Sequence, residues 1–181
     1  MLTVLVRRVN LPSKTVDGVS AWQRLWLWVP MLWATDLLLK YWVSSQLAYA
    51  ERINLLPIFD LTLLHNRGAA FSFLADQGGW QRWFFSVIGI LVTGWLVRWL
   101  RRTPISQTIL AYALTALLAG ALGNLTERVI NGYVVDYLLF YWHPYYFPAF
   151  NLADILIFMG AMGMLLDIWL SSKVDSKGHT S

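Results

Sequence analysis

Two aspartates, Asp136 and Asp154, lie 18 residues apart in a stretch that is otherwise almost entirely apolar and aromatic. A carboxylate at the edge of a hydrocarbon layer is costly, so an ionisable residue there is a candidate functional group. When two carboxyl groups share a site of low dielectric, one keeps a proton while the other acts as a base. Such a pair can activate a water and protonate a leaving amine, as in aspartic peptide hydrolysis. The same residues also fit two helix caps or two ion pairs.

Other hydrolytic chemistries have weaker support in this sequence. The absence of cysteine excludes disulfides, thiolate metal sites and a cysteine nucleophile. His65 and His143 fall in different segments without the spacing of a metal site, so we expect no metal and no cofactor. Ser72 lacks the Gly-x-Ser-x-Gly pattern of a nucleophile elbow. The carboxyl pair is therefore the leading candidate.

Further charged residues interrupt the apolar segments. Asp36 and Lys40 stand four residues apart, in the order that favours pairing on a helix, so we expect them to neutralise each other or to reach the lipid headgroups. Arg128 directly follows Glu127, which predicts a local ion pair or a tie from Arg128 to a loop backbone.

Three amides, Asn66, Asn124 and Asn151, lie in similarly apolar surroundings. A buried amide must be hydrogen-bonded, because its desolvation is otherwise uncompensated. We expect these side chains either to orient the carboxyl groups or to bind the backbone of a substrate.

The composition places these residues in a membrane protein. Of 181 residues, 57% are hydrophobic and eleven are tryptophan, and the mean hydropathy is +0.51. A transmembrane helix needs roughly 20 predominantly apolar residues. Four segments are predicted to span the bilayer: 25–43, 83–97, 105–125 and 150–170.

The distribution of Lys and Arg predicts the orientation of these spans. Nine such residues fall in the N-terminal tail, the second loop and the C-terminal tail, against four in the two remaining loops. Because cytoplasmic segments carry the excess, both termini should be cytoplasmic and the aspartates should lie at the outer face. The same residues account for the net charge of +4, so no nucleic-acid partner is indicated.

The sequence predicts one domain at 25–170, with a cytoplasmic N-terminal tail at 1–24 and a cytoplasmic C-terminal tail at 171–181. Short strands are predicted at 53–59 and 61–63, forming a small sheet on the outer membrane surface. The aromatic segment 137–150 is interpreted either as an interfacial anchor or as a flap over a substrate.

Five ordered motifs give the sequence a family resemblance. They are residues 36–40 (DLLLK), 66–72 (NRGAAFS), 120–128 (GALGNLTER), 134–136 (VVD) and 150–154 (FNLAD). In order and approximate spacing they resemble the motifs of the bacterial lipoprotein signal peptidases, signal peptidase II, across residues 25–170. The resemblance implies a mainly α integral membrane fold, with four transmembrane helices and a small extracytoplasmic β cradle.

The resemblance also implies an activity. Family members are aspartic endopeptidases that remove the signal peptide from diacylglyceryl-modified prolipoproteins, cutting before the lipidated cysteine. The implied partners are such prolipoproteins and membrane lipid, in the bacterial inner membrane, with the enzyme acting as a monomer. The aromatic groups Phe71, Tyr137 and Phe147 are expected to offer a surface for the acyl chains.

By the same resemblance, Asp136 and Asp154 match the catalytic pair. The matching residues that bind substrate or brace the site are Asn66, Gly68, Asn124, Arg128, Asn151, Asp36 and Lys40. Three positions depart from the family pattern, namely Leu37, Ala119 and Glu127. Only Glu127 changes charged chemistry, since an aspartate usually precedes the arginine.

Two other functions fit parts of the sequence. A proton- or cation-coupled transporter would use Asp36, Asp136 and Asp154 as a relay, but the inverted repeat and broken helices of transporters are missing from the sequence. An inactive lipid-binding scaffold would have no need for an intact carboxyl pair.

Overall fold

The computed structural model describes residues 19–68 and 79–178. Within these residues the chain forms five helices and four strands. In chain order they are α1 (Ala21–Leu25), α2 (Trp28–Gln46), β1 (Arg52–Leu56), β2 (Phe59–Asn66), α3 (Trp80–Arg102), α4 (Thr108–Asn131), β3 (Val134–Trp142), β4 (Tyr145–Tyr146) and α5 (Leu152–Gly178). Phe71 and Ser72 lie outside the described residues.

Three helices in the described part of the chain are long and apolar enough to cross a membrane: α3, α4 and residues Leu152–Lys173 of α5. Each of the four predicted spans overlaps a long helix, with bounds that differ by several residues. The predicted first span corresponds to α2, which is the shortest of the four and carries Asp36 and Lys40.

The packed region begins earlier than the predicted boundary at residue 25. Ser20 caps α1 in a reciprocal capping box with Gln23, and Ala21 is fully buried and donates its N–H to the carbonyl of Thr103. At the other end, α5 continues through Gly178, into the segment predicted as a tail.

Close approach of α4 and α5 depends on glycine. A Cβ atom at Gly120 would overlap the backbone carbonyl of Ala153, and one at Gly160 would overlap the carbonyl of Ala113. A Cβ atom at Gly123 would overlap the carboxylate of Asp36 on α2. Small residues therefore let three helices meet where the polar side chains lie.

The strands form one antiparallel sheet in the described residues, in the order β1-β2-β3-β4. The predicted strands at 53–59 and 61–63 correspond to β1 and β2, with Pro57 and Ile58 in the turn between them. Most of the aromatic segment 137–150 lies in β3 and β4, two strands that were not predicted from the sequence. Aromatic residues favour strands as well as membrane interfaces, so the composition of this segment does not by itself reveal the strands.

Candidate active site

Asp136 is the third residue of β3 and pairs with Leu64 of β2. The register between the strands shifts at Leu61 to Leu64, directly beside this pair, and such bulges can re-aim a side chain. Asp136 is only 4% exposed. Its Oδ2 accepts a hydrogen bond from Asn66 Nδ2 at 3.0 Å, and its Oδ1 accepts one from Asn151 Nδ2 at 2.7 Å.

The environment of Asp136 changes its proton affinity. The pKa of Asp136 is raised from its ordinary 3.8 to about 7, mainly because the carboxyl group is buried and secondly because the negative charge of Asp154 lies nearby. The hydrogen bonds from Asn66 and Asn151 oppose this rise, because they favour the ionised form. Asp136 therefore exchanges its proton near neutral pH.

Gly68 shapes the amide that contacts Asp136. Its N–H donates to Asn66 Oδ1 at 2.9 Å, which leaves the Nδ2 group of Asn66 to face the aspartate. Gly68 adopts φ +100°, a conformation that side chains disfavour, and a Cβ atom there would meet the ring of Phe85.

Asp154 lies in the first turn of α5. Its Oδ2 accepts the backbone N–H of Asn151 at 3.1 Å, while Asn151 Oδ1 accepts the N–H of Asp154 at 3.0 Å. This reciprocal arrangement is a capping box. The other carboxylate oxygen, Oδ1, accepts a hydrogen bond from Asn124 Nδ2 at 2.8 Å. The helix-cap interpretation therefore describes part of what Asp154 does.

The N-terminal N–H groups of α5 are all bonded inside the protein. The first four N–H groups of a helix have no acceptor within the helix. Here Leu152 donates to the Tyr137 hydroxyl oxygen at 3.2 Å, and Ala153 donates to Asp36 Oδ1 at 2.9 Å. Asp154 donates to the Asn151 side chain, and the next residue donates to the Asn151 carbonyl. The helix that carries Asp154 is thus anchored to α2 and β3.

Asn151 joins the two aspartates. Its side-chain amide donates to Asp136 Oδ1 and, at 3.2 Å, to the carbonyl of Val135, while its backbone N–H donates to Asp154 Oδ2. It is fully buried. The two carboxyl groups, from a strand and a helix, consequently meet at one residue.

Asp36 and Lys40 form a buried ion pair beside this site. Lys40 Nζ lies 2.8 Å from Asp36 Oδ2, and the side chains are 1% and 0% exposed. Mutual neutralisation was correctly predicted, whereas the alternative that the two residues reach the headgroups is wrong. Lys40 Nζ also donates to Asn124 Oδ1 at 3.0 Å, which orients the amide that contacts Asp154.

The predicted ion pair between Glu127 and Arg128 is wrong. Glu127 Oε2 lies 3.3 Å from Lys40 Nζ and accepts the backbone N–H of Val135 at 2.9 Å. Consecutive helical residues point in different directions, so Arg128 instead lies over the ring of Phe85, with its Cζ 5.5 Å from the ring centroid. Its charge acts on both Asp136 and Asp154.

Tyr137 was predicted from the sequence to belong to a surface for acyl chains. This prediction is wrong, because the side chain is buried. The side chain is 5% exposed and belongs to an apolar cluster with Val43, Leu47, Leu63 and Val135. Its hydroxyl contact with α5 was not predicted, because no local pattern connects a strand residue to a distant helix end. Phe147, by contrast, is exposed.

Apolar helices surround a hydrogen-bonded pair of aspartates, of which Asp136 is buried and Asp154 is half-buried, and this arrangement is that of a membrane-embedded aspartic peptidase. The comparisons with known proteins agree. A family model described as signal peptidase (SPase) II matches residues 29–170. The chain belongs to the signal peptidase II family.

Relatives named lipoprotein signal peptidase are similar over most of their length. The relative from Pseudoalteromonas translucida is 48% identical over 144 residues, which cover 79% of this chain and 87% of the relative. The relative from Pseudomonas syringae pv. tomato is 45% identical over 166 residues, covering 90% and 96%.

Two solved structures share the fold. Both are described as a bacterial membrane enzyme, determined by the in meso method at 2.3 Å and 1.9 Å resolution. The first has a TM-score of 0.70 and 26% identity and covers 81% of this chain and 87% of its own. The second has a TM-score of 0.68 and 27% identity, with 78% and 90% covered.

Proposed function

We propose that Asp136 and Asp154 are the catalytic pair of this enzyme. The observation that carries the proposal is the position of Asn151, which donates a hydrogen bond to each carboxylate. Two carboxyl groups that share one hydrogen-bonding partner in a poorly hydrated site can share a proton, and the pKa of Asp136, about 7, favours the protonated form of this residue at neutral pH.

In the proposed reaction, ionised Asp154 accepts a proton from a water as the water oxygen attacks the scissile carbonyl carbon. Asp136 donates its proton to the carbonyl oxygen, which gives a neutral diol intermediate. The carbon–nitrogen bond then breaks as Asp154 protonates the leaving nitrogen. One diol hydroxyl returns its proton to Asp136 and re-forms the carbonyl, so both aspartates recover their starting states.

The remaining polar residues are proposed to brace this pair. Asn66 and Asn124 hold the two carboxylates, and Gly68 orients Asn66. Lys40 orients Asn124 and is itself neutralised by Asp36. Arg128 contributes a positive charge that offsets the negative charge of the pair.

Family membership makes the chain a lipoprotein signal peptidase, which removes signal peptides from prolipoproteins. We propose further that its substrates are diacylglyceryl-modified and are cut before the lipidated cysteine. Acyl chains contribute roughly 0.8 kcal/mol per buried methylene to membrane partitioning, so the lipid holds the peptide at the depth of the pair. Phe147 is an exposed aromatic residue in the segment beside the site.

The enzyme is proposed to act as a monomer in the bacterial inner membrane, as one domain that extends from α1 to α5. Its two termini would be cytoplasmic and its site would lie at the outer face. In this arrangement α2 is a fourth span. Its two charged residues fit that role because they are buried against α4 and α5 and do not face lipid.

The test uses purified enzyme in detergent, with lipidated and unlipidated precursors. We expect Asp136→Asn and Asp154→Asn each to lower the rate by roughly 10²–10⁴-fold at normal abundance, since each deletes one proton-transfer group. Asp167→Asn is the matched control on α5 and should remain active, and a metal chelator should have no effect.

Two outcomes would contradict this proposal. More than about a tenth of the wild-type rate in either dyad variant would remove that aspartate from the mechanism. Equal rates at saturation on lipidated and unlipidated precursors would make the enzyme a general signal-peptide hydrolase.

A further inference from the structure

Tyr137 follows Asp136 directly in β3, and its side chain points to the opposite face of the strand. The ring is held in the apolar cluster with Val43, Leu47 and Leu63, where it has little freedom to move. Beyond this packing, its hydroxyl oxygen accepts the backbone N–H of Leu152 at 3.2 Å.

This hydrogen bond crosses between the two elements that carry the catalytic pair. Leu152 is the first residue of α5, and its N–H has no acceptor within the helix. Ala153 is held by Asp36 of α2, and Asp154 by Asn151, which precedes the helix. Tyr137 therefore supplies the first-turn acceptor that comes from the strand of Asp136.

The backbone of Tyr137 reinforces the same junction. Its N–H donates to the carbonyl of Phe150 at 3.0 Å, and the carbonyl of Leu138 accepts the N–H of Phe150 at 3.0 Å. The strand is thus tied to the segment before α5 by main-chain bonds, whereas the phenol oxygen of Tyr137 reaches the helix itself.

We propose that Tyr137 is a positioning residue whose hydroxyl sets the first turn of α5 against β3, and thereby sets the distance between the carboxyl groups of Asp136 and Asp154. This proposal rests on the proposed catalytic role of the pair. A displacement of a catalytic group by about 1 Å can lower the rate on the order of 100-fold. A single hydrogen bond that fixes this junction can therefore affect the rate.

The first variant is Tyr137→Phe, which keeps the ring and removes the acceptor oxygen. We expect kcat to fall about tenfold with KM changed less than about twofold, because geometry in the transition state is lost while binding is kept. Asp154 raises the pKa of Asp136, so a wider separation should also move the alkaline limb of the pH profile to lower pH.

The matched control is Tyr141→Phe in the same strand. That hydroxyl also accepts a hydrogen bond, from Asn54 Nδ2 at 2.8 Å within the sheet, so its removal costs a comparable contact without touching α5. We expect kcat and the pH profile of Tyr141→Phe to match wild type.

A second variant removes the donor. Leu152→Pro deletes the N–H at the first helical position, where proline is tolerated. If the bond is what matters, Tyr137→Phe in the Leu152→Pro background should change kcat by less than about twofold, because the two changes remove one interaction.

The proposal is overturned if Tyr137→Phe has wild-type kcat per folded molecule and an unshifted pH profile. It is also overturned if Tyr141→Phe shows the same losses, or if the effects of Tyr137→Phe and Leu152→Pro simply multiply. Asp136→Asn is assayed in parallel. Its activity would refute the catalytic pair, whereas an inactive Asp136→Asn beside an unchanged Tyr137→Phe refutes the positioning role alone.

Discussion

The two ends of the helical bundle differ in the kinds of side chain that they bury. At the apolar end, the buried cluster consists of Ala21, Leu25, Val29, Leu96, Leu100, Ala111, Leu114 and Leu118. At the polar end, the buried side chains include Asp36, Lys40, Glu127, Asp136 and Asn151. The helix α4 runs through both ends and contributes to each.

The difference between the ends lies in how specific their contacts are. Apolar packing is non-directional, and a core tolerates substitutions that conserve volume. Hydrogen bonds between buried polar groups are directional, and removing one partner leaves the other unsatisfied. We therefore expect substitutions at the apolar end to change the amount of folded enzyme and those at the polar end to change turnover as well.

The largest expected effect is that of Lys40→Met. The change leaves the carboxylates of Asp36 and Glu127 buried without their cation, and loss of one partner of a buried pair costs about 3–5 kcal/mol of unfolding free energy. Thermal unfolding of the variant and of wild type in detergent measures this loss of stability. The matched variant that adds Asp36→Asn and Glu127→Gln should recover folded yield. If Lys40→Met were as stable as wild type, the interactions of Lys40 with Asp36 and Glu127 would not contribute to stability.

The next largest effect is expected from Leu114→Ala, a substitution at the apolar end. Leu114 is fully buried, and a leucine-to-alanine change in a core costs about 2–5 kcal/mol. We expect a lower unfolding temperature but kcat per folded molecule within about twofold of wild type. A large fall in kcat at normal folded yield would contradict the expectation that substitutions at the apolar end change only the amount of folded enzyme.

The pH dependence should arise at the polar end. Because the pKa of Asp136 is raised from 3.8 to about 7, the contribution of this group to stability is fully present below about 3.8 and is lost as pH rises through about 7. The same deprotonation removes the proton of the pair, so kcat/KM should fall about tenfold per pH unit above that value.

Asn66→Ala tests whether the alkaline limb of the pH profile reports the pKa of Asp136. It removes a hydrogen bond that lowers the pKa of Asp136, so the alkaline limb should move to higher pH. A limb that stays in place or moves to lower pH would assign the titration to another group.

The smallest effect is expected from Glu127→Asp. The charge facing Lys40 is kept, while the reach to the Val135 N–H is shortened by one methylene, so we expect a rate within about threefold of wild type and normal folded yield. Glu127→Ala should mainly lower folded yield. A Glu127→Ala variant that folds normally but is inactive would place this carboxylate in the mechanism.

Features with a local signature were predictable from the sequence. Apolar runs located the helices, and the spacing of Asp36 and Lys40 gave their ion pair, because residues four apart share a helix face. The partners of Glu127 were not predictable, since Lys40 and Val135 lie on other elements. The strand β3 was missed because its aromatic residues also fit a membrane interface.

The proximity of Asp136 and Asp154 follows from features that no local pattern encodes. It depends on a sheet register with a bulge, on helices brought together by glycine, and on the two contacts of Asn151. The roles of the site residues stay predictions until the variants are assayed.

The closed start of α5 has a consequence for water. A helix end with open N–H groups would draw water to itself, and at the depth of a bilayer such water is scarce. Here Tyr137, Asp36 and Asn151 already occupy those donors. A water that arrives beside Asp154 therefore meets no competing backbone donor in that first turn and is left to the carboxyl groups. The fold thus keeps the backbone donors of this turn from competing for a scarce reactant.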